Sequence, residues 1–186
     1  MGSSIYEERF KSARKILESS HLDGILFTSL ENIRYFCGFT GSDGAIVMTP
    51  KESFFLTDSR YWTQAEEEVK GSQIIHYKKK MEGIRSLLLD LQLKTIGFES
   101  AFFAFSSYQF LSERMAPEAK LIALEDELKN LRAVKDDQEL AHTRRAIDIS
   151  SKAFLHITEL LKEGTAEREA ALEMESFMKQ DGADHI

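Results

Sequence analysis

The chain has 186 residues, with 24 Lys and Arg against 31 Asp and Glu, a net charge of −7 at neutral pH. That balance disfavours a nucleic-acid backbone or an anionic membrane as the main partner. Hydrophobic residues at 42% and charged residues at 30% are an ordinary globular balance, and only two prolines with no low-complexity run argue against a disordered chain. The single cysteine, Cys37, rules out an internal disulfide framework and any multi-cysteine metal site. No apolar run approaches the ~20 residues of a membrane span. The N-terminal residues show no signal-peptide core, and Tyr6 breaks the myristoylation pattern. A cytoplasmic protein is expected.

In chain order, Phe10, Ala13, Ile16 and Leu17 predict a helix over 5–19. Residues 24–28 read as a buried strand and 31–36 as a short helix or turn. Residues 38–44 form a loop with glycine at every third position. Two strands over 45–49 and 53–57, separated by Pro50-Lys51-Glu52, predict an antiparallel hairpin. Then follow a helix over 61–69, a strand over 73–77, a helix over 82–91 and a strand over 94–99. A helix over 106–115, with Ser106 and Gln109 at capping-box spacing, precedes a last strand over 121–124. Strands alternating with helices imply an α/β layer fold, with a mixed sheet flanked by helices because a hairpin interrupts the crossovers.

The last third differs. Residues 136–163 are helical without a break, with Asp136 and Glu139 at capping-box spacing. Leu140, Ile147, Phe154 and Leu161 recur every seven residues. Gly164 fits a helix stop, and Thr165 is a candidate cap for a second helix to about 180. These helices need an apolar partner, yet the α/β unit before them already has a core of its own. The expected division is a first domain over 1–124, a linker over 125–135 and the two-helix start of a second domain, truncated, over 136–186. The alternative is that the helices fold back on the first domain or pair in a dimer.

The chemistry visible in single residues is sparse. The five histidines show no metal-binding spacing, and His142 and His156 would lie about 21 Å apart on one helix. Cys37, among aromatic neighbours with no basic partner nearby, reads as a small buried hydrophobe. Glu66-Glu67-Glu68 and the pair Glu169/Glu173 read as solvated helix faces, and Lys78-Lys79-Lys80 is too short for a nucleic-acid stripe. The glycine loop lacks dinucleotide-fingerprint spacing. Asp58 is placed to cap a helix, and Arg60 carries a fork suited to a carboxylate. Chemistry alone favours an internal Asp–Arg pair over a ligand site.

Four segments carry a resemblance. Asn32 to Ala45, through Gly38-Phe39-Thr40-Gly41-Ser42-Asp43-Gly44, resembles the "RYLTGFTGS-GALL" stretch of Xaa-Pro peptidases. Thr57-Asp58-Ser59-Arg60-Tyr61 with Gln64-Ala65 resembles their "TDGRY…QA" segment. Ile96-Gly97-Phe98-Glu99 resembles "VGFE", and Leu131 to Leu140 resembles the "LR-IKS--EI" stretch that leads into the catalytic domain. The matches keep the order of the aminopeptidase P, prolidase and creatinase family over about residues 5–183.

The resemblance implies a creatinase-like N-terminal α/β domain followed by the first helices of a "pita-bread" catalytic domain. The chain would then be the N-terminal, non-catalytic part of an Xaa-Pro metallopeptidase, restricting access and assembling a homodimer. The parent would cleave bonds next to proline in short proline-containing peptides. It would use two divalent ions (manganese, cobalt or zinc) held by two aspartates, a histidine and two glutamates, none of them in this chain, so the chain alone would bind no cofactor and be inactive. Arg60 takes the position of an arginine that reaches toward substrate, and Asp58, Ser42 and Asp43 flank it in the matching segments as substrate-binding candidates. Ser59 departs from the family's usual glycine, and Asp43 stands where many relatives have alanine. Two other functions remain open, a creatinase-like amidinohydrolase and a catalytically silent protein-binding module.

Overall fold

The inner strands of this sheet are buried at nearly every position because helices cover both of its faces, while the two edge strands are partly exposed. The computed structural model describes residues 5–184, as two compact units, one up to Ala133 and one from Val134. The first contains β1 (Gly24–Phe27), β2 (Ala45–Met48), β3 (Ser53–Thr57), β4 (Gln73–His76), β5 (Thr95–Glu99) and β6 (Lys120–Leu124). Their order in the sheet is β4-β3-β2-β1-β5-β6. β2 is antiparallel to both neighbours, and the other pairings are parallel. The mixed sheet and the hairpin agree with the sequence reading.

Alternation along each strand sorts side chains into two cores. Ile25, Phe27, Ile46, Met48 and Phe55 face α1 (Ile5–Ser19) and α2 (Leu30–Cys37), where Phe10, Leu17, Ile33 and Phe36 are buried. Leu26, Val47, Phe54, Leu56 and Ile96 face the opposite side. There α4 (Lys80–Asp90) contributes Ile84 and Leu88, and α5 (Phe105–Met115) contributes Leu111 and Met115. The short α3 (Trp62–Glu68) follows β3, and α6 (Asp126–Lys129) follows β6. Residues 126–132, read from sequence as a connecting stretch, form α6 and a 3-10 turn, and Leu128 is buried in the first core.

The second unit contains α7 (Asp137–Leu160) and α8 (Glu167–Gln180). Asp136 accepts from the Glu139 N–H and Glu139 accepts from the Asp136 N–H, so the capping box forms as expected. Other local expectations are corrected. α5 starts after Ala104, which has no side chain to cap it, so Ser106 lies inside the first turn and Gln109 bonds to Glu113 instead. α7 ends at Leu160 rather than 163, where Leu161 turns extended. Thr165 accepts from the Lys162 N–H, and α8 begins after Ala166, whose N–H donates to Glu169. The buried face of α7 is Ile149, Ala153 and Ile157, while Ile147 and Phe154 of the heptad stripe are each 60% exposed. α8 pairs with α7 through His156 and Glu173 at 2.9 Å and through stacking of His156 on Phe177.

Candidate functional site

All strands but β2 run the same way, so the ends of β1, β3, β4, β5 and β6 share one edge of the sheet with the start of β2. In open α/β sheets this carboxyl edge is where loops converge to bind ligands. The segments 38–44, 58–61 and 77–80 meet there.

β3 ends at Thr57, which is fully buried and whose hydroxyl donates to the Asp43 carbonyl at 3.2 Å. This bond ties the glycine loop to the strand end. Asp58 is extended and accepts from the Arg60 N–H at 2.9 Å, which starts a 3-10 turn over Ser59–Tyr61. Among the described residues the non-glycine positions with positive φ are His21 and Gln92, so Ser59 meets no left-handed strain. Arg60 Nε lies 3.1 Å from both Asp58 oxygens, and Nη2 is 2.7 Å from Oδ2. The Arg60 hydrogen bond holds the Asp58 carboxyl below the usual carboxylate range. The Arg60 side chain is 64% exposed and its Cζ lies 5.2 Å from the Tyr61 ring centre. With Nε and Nη2 engaged, the Nη1 N–H groups have no partner among the described residues.

Asp43 is the second acidic group beside Arg60, 3.5 Å from Nη2. Lys80 Nζ donates to its Oδ1 at 2.6 Å and the Tyr77 hydroxyl to its Oδ2 at 2.9 Å. Burial, reinforced by the bond to Asp43, pushes the Tyr77 phenol well above its ordinary value, so it stays a neutral donor. Glycine at position 83 in α4 makes room for Tyr77, since a Cβ there would lie 2.5 Å from the Tyr77 Cβ. The Ser42 and Tyr61 hydroxyls are 2.5 Å apart.

Two carboxylates hold the scaffold of the site. Gly38 closes α2 at φ 82°, its N–H donating to the Arg34 carbonyl. Beyond it, the Thr40 N–H and hydroxyl donate to Glu68 at 2.7 and 2.9 Å, and Gln64 donates to both Thr40 and Glu68. Burial alone would raise the Glu68 carboxyl, but the bonds from Thr40 and Gln64 outweigh it and hold it low. Glu99, at the end of β5, is buried. It accepts from the Thr28 N–H, from the Ser29 N–H and hydroxyl at 2.8 and 2.7 Å, and from Asn32 Nδ2. It thereby seals the N-terminus of α2 against β1, a favourable place for an anion.

Of the residues singled out from sequence, Arg60, Asp58 and Asp43 converge, and Ser42 joins them through Tyr61. Chemistry alone favoured an internal pair, and Asp58–Arg60 is one, but it leaves an edge of the guanidinium open. Tyr77, Lys80, Glu68 and Glu99 were not anticipated. Lys80 was hidden in a lysine run and Glu68 in a glutamate run; each is set apart only by what it faces. Cys37 is buried, with its thiol pushed up to about 12 by burial, so it is not a nucleophile. Among the described residues no three His, Cys, Asp or Glu side chains converge, so they do not fit a dinuclear metal centre. The arrangement is suited to binding an anionic or carbonyl oxygen at Arg60. It contains no paired nucleophile and base.

The fold and this edge define a class. The structure superposes on the Xaa-Pro dipeptidase from Bacillus anthracis with a TM-score of 0.89 at 30% identity, covering 96% of this chain and 50% of that one. It also superposes on an X-Pro aminopeptidase from Thermotoga maritima, with a TM-score of 0.82 at 28% identity, 94% of this chain and 50% of that one. An uncharacterized peptidase, YqhT, from Bacillus subtilis is 32% identical over 177 residues, 95% of this chain and 50% of its own length. The chain thus spans about half the length of these relatives. Residues 9–134 match the Creatinase/Prolidase N-terminal domain, and the chain belongs to that family.

Proposed function

We propose that this chain is the N-terminal, non-catalytic portion of an Xaa-Pro metallopeptidase of the aminopeptidase P or prolidase type. Residues 1–124 make the access-restricting domain, 125–135 the connection, whose α6 packs Leu128 into the first core, and 136–186 the start of the catalytic domain. The parent hydrolyses peptide bonds next to proline in short peptides, acts as a homodimer in the cytoplasm and uses two divalent ions, manganese, cobalt or zinc, bound outside this chain. The named relatives favour this reading over an amidinohydrolase or a silent binding module.

The observation that carries it is Arg60, held along one edge by Asp58, open at Nη1 and placed on the carboxyl edge of the sheet. Asp58 and Asp43 orient the guanidinium, Ser42 packs beside it through Tyr61, and Arg60 offers N–H donors to a peptide oxygen. Restriction by shape suits proline, whose ring fixes φ and removes a donor. The test joins this chain to the segment its gene encodes after Ile186 and measures Xaa-Pro hydrolysis. Arg60→Ala should lower kcat/KM about ten- to a hundredfold, the worth of a charged hydrogen bond. Unchanged kcat/KM removes Arg60 from the substrate, and no hydrolysis in the joined protein removes the peptidase.

A further inference from the structure

We infer that Lys80 and Tyr77 are positioning residues for Arg60, acting through Asp43. This inference rests on the reading of Arg60 given above. Asp43 is the second acidic group beside Arg60, with Oδ2 3.5 Å from Nη2. In isolation, a carboxylate 3.5 Å from Arg60 could swing away into solvent. Here it cannot do so freely, because both of its oxygens are engaged. Lys80 Nζ holds Oδ1 at 2.6 Å and the Tyr77 hydroxyl holds Oδ2 at 2.9 Å.

The two anchors come from rigid ground. Tyr77 follows β4, is 7% exposed and packs into the second core. Lys80 opens α4, and Gly83 one turn on lets that helix approach Tyr77. Asp43 is tied through its carbonyl to Thr57, one residue before Asp58. Arg60 therefore lies between two acidic groups, Asp58 on its Nε edge and Asp43 beside Nη2. The two together restrict rotation of the guanidinium and turn Nη1 outward. Lys80 also offsets the charge of Asp43, so that Asp43 orients Arg60 without cancelling its attraction for an anionic group.

The test reads Arg60 directly in this chain. The rate of phenylglyoxal modification at Arg60, mapped by mass spectrometry, is compared among wild type, Lys80→Met, Lys80→Arg, Tyr77→Phe and Asp43→Asn. Circular dichroism checks the fold of each. Lys80→Met and Asp43→Asn should raise the rate about two- to fivefold, the range of a partly exposed ion pair. Tyr77→Phe, which removes only the hydroxyl, should raise it less, and Lys80→Arg should restore the wild-type rate. Unchanged rates in folded Lys80→Met and Tyr77→Phe overturn the inference. The same variants in the joined peptidase separate it from the reading beneath it. Positioning predicts a raised KM with little change in kcat for Lys80→Met, rescued by Lys80→Arg and absent in an Arg60→Ala background. If the modification rates shift while kcat/KM does not, positioning stands and the substrate role of Arg60 fails.

Discussion

Replacing Glu99 should separate two effects that its burial combines. Four donors converge on its carboxylate, namely two backbone N–H groups, the Ser29 hydroxyl and the Asn32 amide. In Glu99→Gln one oxygen remains for the two N–H groups. The new amide can donate to Asn32 Oδ1, a buried acceptor without a partner, once the Asn32 amide rotates. The loss is then chiefly charge assistance on two bonds, about 1 kcal/mol each and about 2 kcal/mol in all. In Glu99→Met the same donors face a thioether. The hydroxyl can rotate to another acceptor, leaving three orphaned groups at about 1–3 kcal/mol each, so the cost is about 5 kcal/mol. That is comparable to the whole stability of a small domain. Urea unfolding at pH 7, followed by circular dichroism, reads both values from the midpoint at constant slope. A Glu99→Met protein within 1 kcal/mol of wild type, or a Glu99→Gln protein as unstable as Glu99→Met, would refute the reasoning.

Other expectations follow from the same geometry. Burial raises the Cys37 thiol from 9.0 to about 12, so its contribution to stability is complete below pH 9 and is lost as pH rises toward 12. Between those values the unfolded chain has released the proton and the native chain has not. Wild type should lose about 1.4 kcal/mol per pH unit more than Cys37→Ala, and parallel stability curves from pH 9 to 11 would contradict this. Gly38→Ala places a Cβ at φ 82°, 2.7 Å from the Tyr6 hydroxyl, and should destabilise by about 1–3 kcal/mol by thermal or urea unfolding. The Asp58 carboxyl should titrate below the usual carboxylate range by NMR, and that depression should shrink in Arg60→Ala, which removes the side-chain bond but keeps the backbone N–H at position 60; an unchanged titration would contradict this. The exposed Ile147 and Phe154 should promote self-association that Ile147→Gln with Phe154→Gln reduces in light scattering; identical masses at high concentration would argue against it.

Much of the fold is legible in local pattern. Runs such as Ala45–Met48 and Ser53–Thr57 are apolar on both faces, and only a strand covered on both sides takes such residues. Asp136 and Glu139 announce α7 because both capping bonds are local, spanning three residues. Likewise Asp58 could be read as a cap and as a partner of Arg60, since two residues separate them. Where side chains compete, the local signal fails. Ser106 has the right spacing, but the chain enters α5 two residues earlier. In α7 the seven-residue stripe is real, yet burial chose Ile149, Ala153 and Ile157, because which face is covered depends on what packs there rather than on period.

The site divides in the same way. Sequence alone determined that a mixed α/β sheet containing a hairpin would carry Ser42 and Asp43 on the loop before that hairpin and Asp58 and Arg60 just after it, since hydrophobic period and turn chemistry act over a few residues. Only the tertiary structure decided that Lys80 and Tyr77 close on Asp43, that Glu68 anchors Thr40 and that Glu99 seals α2. These partners lie 28 to 71 residues apart in the chain. A lone lysine or glutamate in a charged run acquires a role only from the charge or donor that folding brings opposite it, and that juxtaposition is set by strand order and register, which no local pattern encodes.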